Sequence, residues 1–233
     1  MADGIVFVFA EGPHEIGRRY GLPVPVDEEL PALPRLVHRL LGEPKGVQFA
    51  CHPLKNVGPV HGLGSKLAKK VIRAIRMADK QGAAGAIVAV DRDRRPDSER
   101  IVELRKGRDK ALEDRSLNVS CAVGSPVEAF DAWMIADGKA MAAVGTPATP
   151  NPHASPESLA GKPGSDQHPK DHACTQLGGG AELGRAYAVI ARQVDLSFLE
   201  RACPQGFRPF ADEVRANLWP LFGPAESGGA GHA

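Results

Sequence analysis

Three carboxylates stand where chemistry is expected, at the ends of two apolar runs of the chain. Asp91 and Asp93 follow the run GAIVAV, residues 85–90. Glu11 follows the run GIVFVFA, residues 4–10. Continuous apolar runs of this kind predict strands that are covered on both faces. Because parallel strands present their carboxyl ends at one edge of a sheet, neighbouring strands would bring these three side chains together.

A carboxylate cluster of this kind either raises its pKa values or binds a cation. Oxygen ligands without nearby Cys or His favour Mg²⁺ or Mn²⁺ over zinc. The alternative is that Asp91 and Asp93 pair with the adjacent arginines and cap a helix that begins at residue 97. Because a glutamate also ends the other strand, the metal is the favoured interpretation. The predicted ligands are Glu11, Asp91 and Asp93.

A second group of charges lies on a helix predicted over residues 65–82. Its apolar positions recur at helical spacing. A stripe of cations runs beside them, formed by Lys66, Lys69, Lys70, Arg73 and Arg76. Because a glycine-rich loop precedes the helix N-terminus, the stripe would suit a nucleic-acid backbone. The alternative is an ordinary solvated helix face, and the sequence leaves both interpretations open.

The elements that must position these residues alternate between strand and helix over the first 145 residues. This order predicts an α/β fold of the Rossmann type, with a mainly parallel sheet and helices on both faces. Further strands are expected at 46–50 and 117–123, and one helix at 125–144. The expected units are an α/β domain at 1–144, a flexible Pro/Gly-rich insertion at 145–180, a helical C-terminal extension at 181–222 and a disordered tail at 223–233.

Charge, apolar segments and cysteines of the chain limit the partners and the compartment that are expected for it. The 233 residues carry a formal charge of +1, so nucleic-acid binding would have to come from local clusters rather than bulk charge. No apolar stretch approaches the roughly 18–20 residues that span a bilayer, and no signal peptide is evident, so no membrane association is expected. Four cysteines without a CxxC pair indicate free thiols in a reduced cytoplasm. An oligomer is compatible with the sequence.

The motifs VFVFAEG and AIVAVDRD, in this order, resemble the TOPRIM fold of topoisomerases, primases and OLD-type nucleases. The resemblance implies that Glu11, Asp91 and Asp93 coordinate magnesium. A further stretch, AVGSPVEAFDAWMIAD, is similar to a small bacterial TOPRIM-like branch that is often encoded beside ATPases. Together these motifs cover roughly residues 4–140, with a weaker similarity around HPK at 168–170.

The chain departs from that branch at Asp131, which stands where the resemblance implies the glutamate of a Glu-x-Trp motif. Asp131 is therefore expected to be a catalytic carboxylate, one methylene shorter. Glu128 is a candidate metal ligand nearby. It also fits a capping box with Ser125, in which Pro126 would take the first helical position, and both interpretations stay open.

Residues 168–174 hold further candidates. Lys170 is expected to neutralise a phosphate during catalysis. His168, His172 and Cys174 have spacing that suits zinc, with His153 upstream. Because Pro169 is expected to break a helix there, zinc is not the favoured interpretation.

The sequence thus predicts a Mg²⁺-dependent nuclease or phosphodiesterase acting on DNA or RNA, in a bacterial anti-phage defence system with an ATPase partner. The alternative is a non-catalytic TOPRIM-like module that binds an ATPase partner or nucleic acid. A small-molecule phosphohydrolase would need Ser or Thr two residues beyond the second aspartate, where Arg95 stands.

Overall fold

The protein is described by a computed structural model that covers residues 4–62, 64–92, 97–145 and 149–223. Five strands form one sheet in the order β2-β3-β1-β4-β5. They are β1 (Gly4–Ala10), β2 (Pro23–Pro25), β3 (Val47–Pro53), β4 (Gly85–Ala89) and β5 (Ser120–Gly124). All neighbours are parallel except β2, which runs antiparallel to β3. The predicted pairing of β1 with β4 is confirmed, with Val6 opposite Gly85.

Helices surround this sheet and form the C-terminal extension, which confirms the predicted fold class. Those of the α/β part are α1 (Pro13–Ile16), α2 (Ala32–Leu40), α3 (Lys66–Lys80), α4 (Asp97–Leu112), α5 (Asp131–Met134) and α6 (Gly138–Ala142). Those that follow are α7 (Pro169–Leu177), α8 (Ala181–Gln193), α9 (Leu196–Ala202), α10 (Phe207–Asn217) and α11 (Trp219–Phe222). No helix in the described ranges is long and apolar enough to cross a membrane.

The alternation of side chains along β1 divides the core into two layers. Val6 and Val8 belong to the apolar cluster that includes residues of α2, α8 and α10. Phe7 and Phe9 belong to the cluster on the other face, with residues of α3 and α4. Both faces of the strand are therefore covered, which is why its sequence is an unbroken apolar run.

Helices α3 and α4 pack closely at Gly107 of α4. A Cβ atom at this position would lie 2.6 Å from the carbonyl oxygen of Ala68 and 2.8 Å from the Cβ of Val71. Glycine therefore allows α4 to rest directly on the backbone of α3. The start of α3 is fixed by Ser65, whose hydroxyl accepts a hydrogen bond from the Ala68 amide at 3.1 Å.

The single helix predicted at 125–144 is wrong, and with it the capping box. No helix begins at Pro126; α5 and α6 are two short helices further along. A helix over this stretch would need the Phe130 amide to bond to the Pro126 carbonyl. Instead, the Pro126 carbonyl accepts from the Arg92 amide at 2.9 Å, and the Phe130 amide donates to Asp91 Oδ1 at 2.9 Å. Bonds to the end of β4 have replaced the helical ones.

The segment 145–180 was predicted as a loop, but it contains α7 and a short 3₁₀ turn at Pro156–Ser158. Pro169 occupies the first turn of α7, so it begins a helix rather than breaking one. Glu157 ties the segment to the C-terminal helices, because its carboxylate accepts from the Gln205 and Gly206 amides at 2.8 and 2.7 Å. Flexibility of the segment stays a prediction, and the tail beyond Gly223 lies outside the described residues.

Candidate functional site

A cavity of 440 Å³ lies beyond the carboxyl ends of β1 and β4, where the sequence predicted a site. Five carboxylates line it: Glu11, Glu15, Asp91, Glu128 and Asp131. Lys170, His14, His168 and Tyr187 line the same cavity. We call it the acidic cavity. It brings together predicted site residues that follow β1, β4 and β5 with Lys170 of the HPK motif. Asp93 lies outside the described residues.

Asp91 and Asp131 are held by donors from the protein. Asp91 Oδ1 accepts the bond from the Phe130 amide already described. The Tyr187 hydroxyl donates to Asp131 Oδ1, and both side chains are buried. Burial and the negative charge of Asp131 raise the pKa of Tyr187 well above its usual value. The phenol therefore keeps its proton and orients Asp131.

Glu15 is the residue of the cavity that the sequence did not single out. It is buried in α1 and lies four residues after Glu11 in the sequence. Burial raises its pKa well above the usual value, and the negative charges of Asp91, Asp131 and Glu11 raise it further. Backbone hydrogen bonding from Glu11 acts in the opposite direction but does not prevail. Burial and the neighbouring carboxylates thus both favour the protonated form of Glu15.

The cationic side of the cavity is formed by Lys170 and the histidines. Burial lowers the pKa of His14, and the positive charge of Lys170 lowers it further. His168 Nδ1 lies 3.0 Å from Asp171 Oδ2. The ammonium group of Lys170 therefore favours the neutral form of His14.

Glu128 has an unusual backbone conformation, with φ at 58°. Among the described residues other than glycine, it shares a positive φ with Glu43 alone. The left-handed region is unfavourable for a side chain with a Cβ atom. Residues held in such conformations concentrate at functional sites. Glu128 is therefore a carboxylate placed at the cavity by a strained turn, and not a helix cap.

Within the described ranges, no three His, Cys, Asp or Glu side chains form a group that would hold a metal ion. The zinc candidates near α7 therefore form no such group either; they are His153, His168, His172 and Cys174. His172 Nε2 instead lies 3.1 Å from the Asn151 carbonyl oxygen. The carboxylates of the acidic cavity line one space without forming a closed ligand set among the described residues.

A second cavity, of 570 Å³, adjoins the first through Glu11. Lys55, Lys66, Lys70 and Arg100 supply its positive charge, and Glu103 lies among them. We call it the basic cleft. Lys66 and Lys70 belong to the predicted cation stripe, whereas Lys69 and Arg73 are not among the lining residues. Lys70 Nζ donates to the Leu54 carbonyl at 3.2 Å, which holds it at the cleft.

Comparisons of the chain with known protein families, with curated proteins and with solved structures found no match. The fold and the residues at the two cavities are therefore the basis for a functional assignment.

Proposed function

We propose that the protein is a TOPRIM-like phosphodiesterase that uses Mg²⁺ or Mn²⁺ to cleave DNA or RNA. The observation that carries this proposal is the shared wall of the two cavities. Glu11 lines both cavities: carboxylates suited to a hard cation line the acidic cavity with it, and cations suited to phosphates line the basic cleft with it. A nucleic acid lying along the basic cleft would bring a phosphate to the carboxylates.

The acidic cavity fits a divalent cation in its donor chemistry. Its candidate ligands are oxygen atoms, and burial together with the negative charges of Asp91, Asp131 and Glu11 raises the pKa of Glu15. A cation in the cavity would offset the part that comes from these charges. Glu11, Asp91 and Asp93 would hold the ion, with Glu128 as a further ligand. A metal bound there would polarise the scissile phosphate and lower the pKa of a water molecule.

The remaining side chains have roles that follow from their contacts. Lys170, which also lines the acidic cavity, would neutralise charge on the phosphate. Tyr187 fixes the position of Asp131 through its hydrogen bond. Lys66 and Lys70 would bind phosphates of the same strand within the basic cleft, because a row of cations attracts the backbone without reading its sequence.

The test is cleavage of single-stranded and double-stranded DNA and RNA by the purified protein, with Mg²⁺, with Mn²⁺ and with EDTA. We expect metal-dependent cleavage that Asp91→Asn lowers by about 100-fold or more, as loss of groups at a metal site does. Asp79→Asn is the matched control, because Asp79 Oδ1 also accepts from a backbone amide, that of Asn118 at 2.7 Å. Equal cleavage by the native protein and Asp91→Asn would contradict the proposal.

A second candidate function is a non-catalytic TOPRIM-like module that binds an ATPase partner or nucleic acid, as in a defence system. It is favoured by the hydrogen bonds that already occupy Asp91 and Asp131, and by the open ligand set among the described residues. Nucleic-acid binding without cleavage under any metal condition would support this candidate over the first.

A further inference from the structure

A third cavity, of 410 Å³, shares lining residues with the acidic cavity and none with the basic cleft. Its apolar wall is formed by Val24, Leu30, Phe49 and Cys51, with Gly184 and Ala188 of α8 also lining it. Arg18, Arg19 and Arg185 line it as well, with Glu29. We call it the arginine pocket. It adjoins the acidic cavity through Pro13 and His14, which line both.

The free space in this pocket depends on a small residue within a helix. Gly184 lies in α8, where glycine is a poor helix former. A Cβ atom there would lie 3.7 Å from His14 Nδ1, an ordinary contact, and no other constraint requires glycine. Its absence of a side chain instead leaves the pocket open beside the ring of His14. The pocket therefore has room for a flat ring next to the imidazole of His14.

The arginines of the pocket are available to an anion. Arg19 pairs with Glu28, and Arg185 pairs with Glu182, each at 3.0 Å. Both pairs are exposed to solvent, and exposed ion pairs contribute little free energy. Exchange of a glutamate for a phosphate therefore costs little. A phosphate would gain two planar guanidinium groups that match its geometry.

We infer that the arginine pocket binds the base and sugar of one nucleotide next to the phosphate in the acidic cavity, with the arginines on that nucleotide's own phosphate. This rests on the proposed function, since it names a substrate subsite for it. The volume lies in the range of small-ligand sites, and an apolar wall with cations beside it complements a base attached to a phosphate. The basic cleft, the acidic cavity and the arginine pocket then form one path for the strand.

The test measures binding of adenosine 5′-monophosphate and of ribose 5-phosphate to the full chain in EDTA, by calorimetry or by NMR. Without metal, binding is separated from cleavage. We expect adenosine 5′-monophosphate to bind about five- to 100-fold more tightly than ribose 5-phosphate, because this is the range that stacking of one base contributes. Equal affinities, or no binding of either probe, would overturn the inference.

Two substitutions at one position locate the binding. Gly184→Ala adds only a methyl group at an ordinary distance from His14 and should keep the affinity of the native protein. Gly184→Phe fills the pocket and should lower the affinity for adenosine 5′-monophosphate by about tenfold or more. A Gly184→Phe variant that binds as tightly as Gly184→Ala would show that the nucleotide lies elsewhere.

An independent variant covers the case in which Gly184→Phe does not fold. Arg19→Ala/Arg185→Ala changes two exposed side chains, should fold, and should weaken binding of both probes, most strongly at low salt. Native affinity in this variant would overturn the arginine contacts. If the native protein binds the nucleotide in a Gly184-dependent way but cleaves nothing with Mg²⁺, the phosphodiesterase proposal fails and the pocket stands.

Discussion

The acidic cavity and the basic cleft share Glu11, yet they differ in how their charges are held. In the acidic cavity, Glu15 and Asp131 are buried, and hydrogen bonds from the protein fix Asp91 and Asp131. In the basic cleft, Lys55 and Lys66 are exposed, and Lys70 is half-buried. Charges in a buried cavity interact strongly, whereas exposed charges are screened by salt. We therefore expect the cavity to respond to metal and pH, and the cleft to respond to ionic strength.

The largest expected effect is stabilisation of the native protein by Mg²⁺. Metal at about 100 times its dissociation constant would add about 2.7 kcal/mol to the free energy of unfolding. Asp91→Asn keeps an oxygen for the Phe130 amide but removes the charge, so it should lose this increment without losing stability in EDTA. Thermal melts of both proteins with EDTA and with Mg²⁺ measure it.

Asp79→Asn, which lies outside the acidic cavity, should keep the full Mg²⁺ increment. An ion-pair role for Asp91 in place of a metal-binding one gives the opposite pattern. Asp91→Asn would then be less stable under both conditions, and Mg²⁺ would change neither protein.

The next effect is a pH dependence from Glu15. Its pKa in the folded protein is raised above the ordinary glutamate value of 4.5. The stabilisation from its protonated form is complete below about pH 4.5 and is lost as the pH rises through the raised value, because the unfolded chain releases a proton that the folded protein keeps. In that window the free energy of unfolding falls by up to about 1.4 kcal/mol per pH unit.

Glu15→Gln has no such proton to release. In EDTA, its melting temperature should therefore rise relative to the native protein as the pH increases from about 4.5. Two melting curves that stay parallel across this pH range would show that the cavity does not raise the pKa of Glu15.

A smaller effect should separate the cations of α3 into two pairs. Lys66→Ala/Lys70→Ala removes cations that line the basic cleft, whereas Lys69→Ala/Arg73→Ala removes cations that do not. Each lost phosphate contact lowers the salt slope of the binding constant for duplex DNA by about 0.9. The first variant should thus lose about two units of slope, and the second much less. Equal losses of salt slope in the two variants would show that the stripe is an ordinary solvated helix face.

The smallest effect compares the two glutamates with a positive φ. Glycine at position 128 or 43 relieves the left-handed strain and should raise the free energy of unfolding by about 1 kcal/mol in each case. Glu43 does not line the acidic cavity, so Glu43→Gly should leave metal stabilisation and cleavage unchanged. Glu128→Gly should gain stability in EDTA but weaken the response to Mg²⁺. Identical Mg²⁺ responses in both variants would remove Glu128 from the site.

The carboxylates of β1 and β4 were predictable because one local rule places them. An unbroken apolar run predicts a buried parallel strand, and the residue that follows it lies at the functional edge of the sheet. Glu11 and Asp91 line one cavity for this reason. Tyr187 and Glu15 gave no comparable signal. A tyrosine within an amphipathic helix is typical of a core residue, and a glutamate in the first turn of a helix is typical of its N-terminus.

The turn at Glu128 was not predictable because distant residues determine it. Ser125, Pro126 and Glu128 form a good local signal for a helix start, yet the Phe130 amide and the Pro126 carbonyl bond to residues at the end of β4. Helix α7 shows the reverse case. Its segment is poor in apolar residues, but the few present, such as Leu177, are buried against the core. Local sequence preference is overridden in both places by long-range contacts.

Gly107 sets the width of the basic cleft without touching anything that enters it. Arg100 and Glu103, on the same helix, line the cleft opposite residues of α3. The close contact of α4 with the α3 backbone fixes the distance between these two helices, and with it the width of the cleft. A methyl group at position 107 would act as a wedge, since a backbone carbonyl at 2.6 Å cannot rotate away as a side chain would. One added carbon at residue 107 would thus push α4 away from α3 and widen the cleft, although residue 107 does not line it.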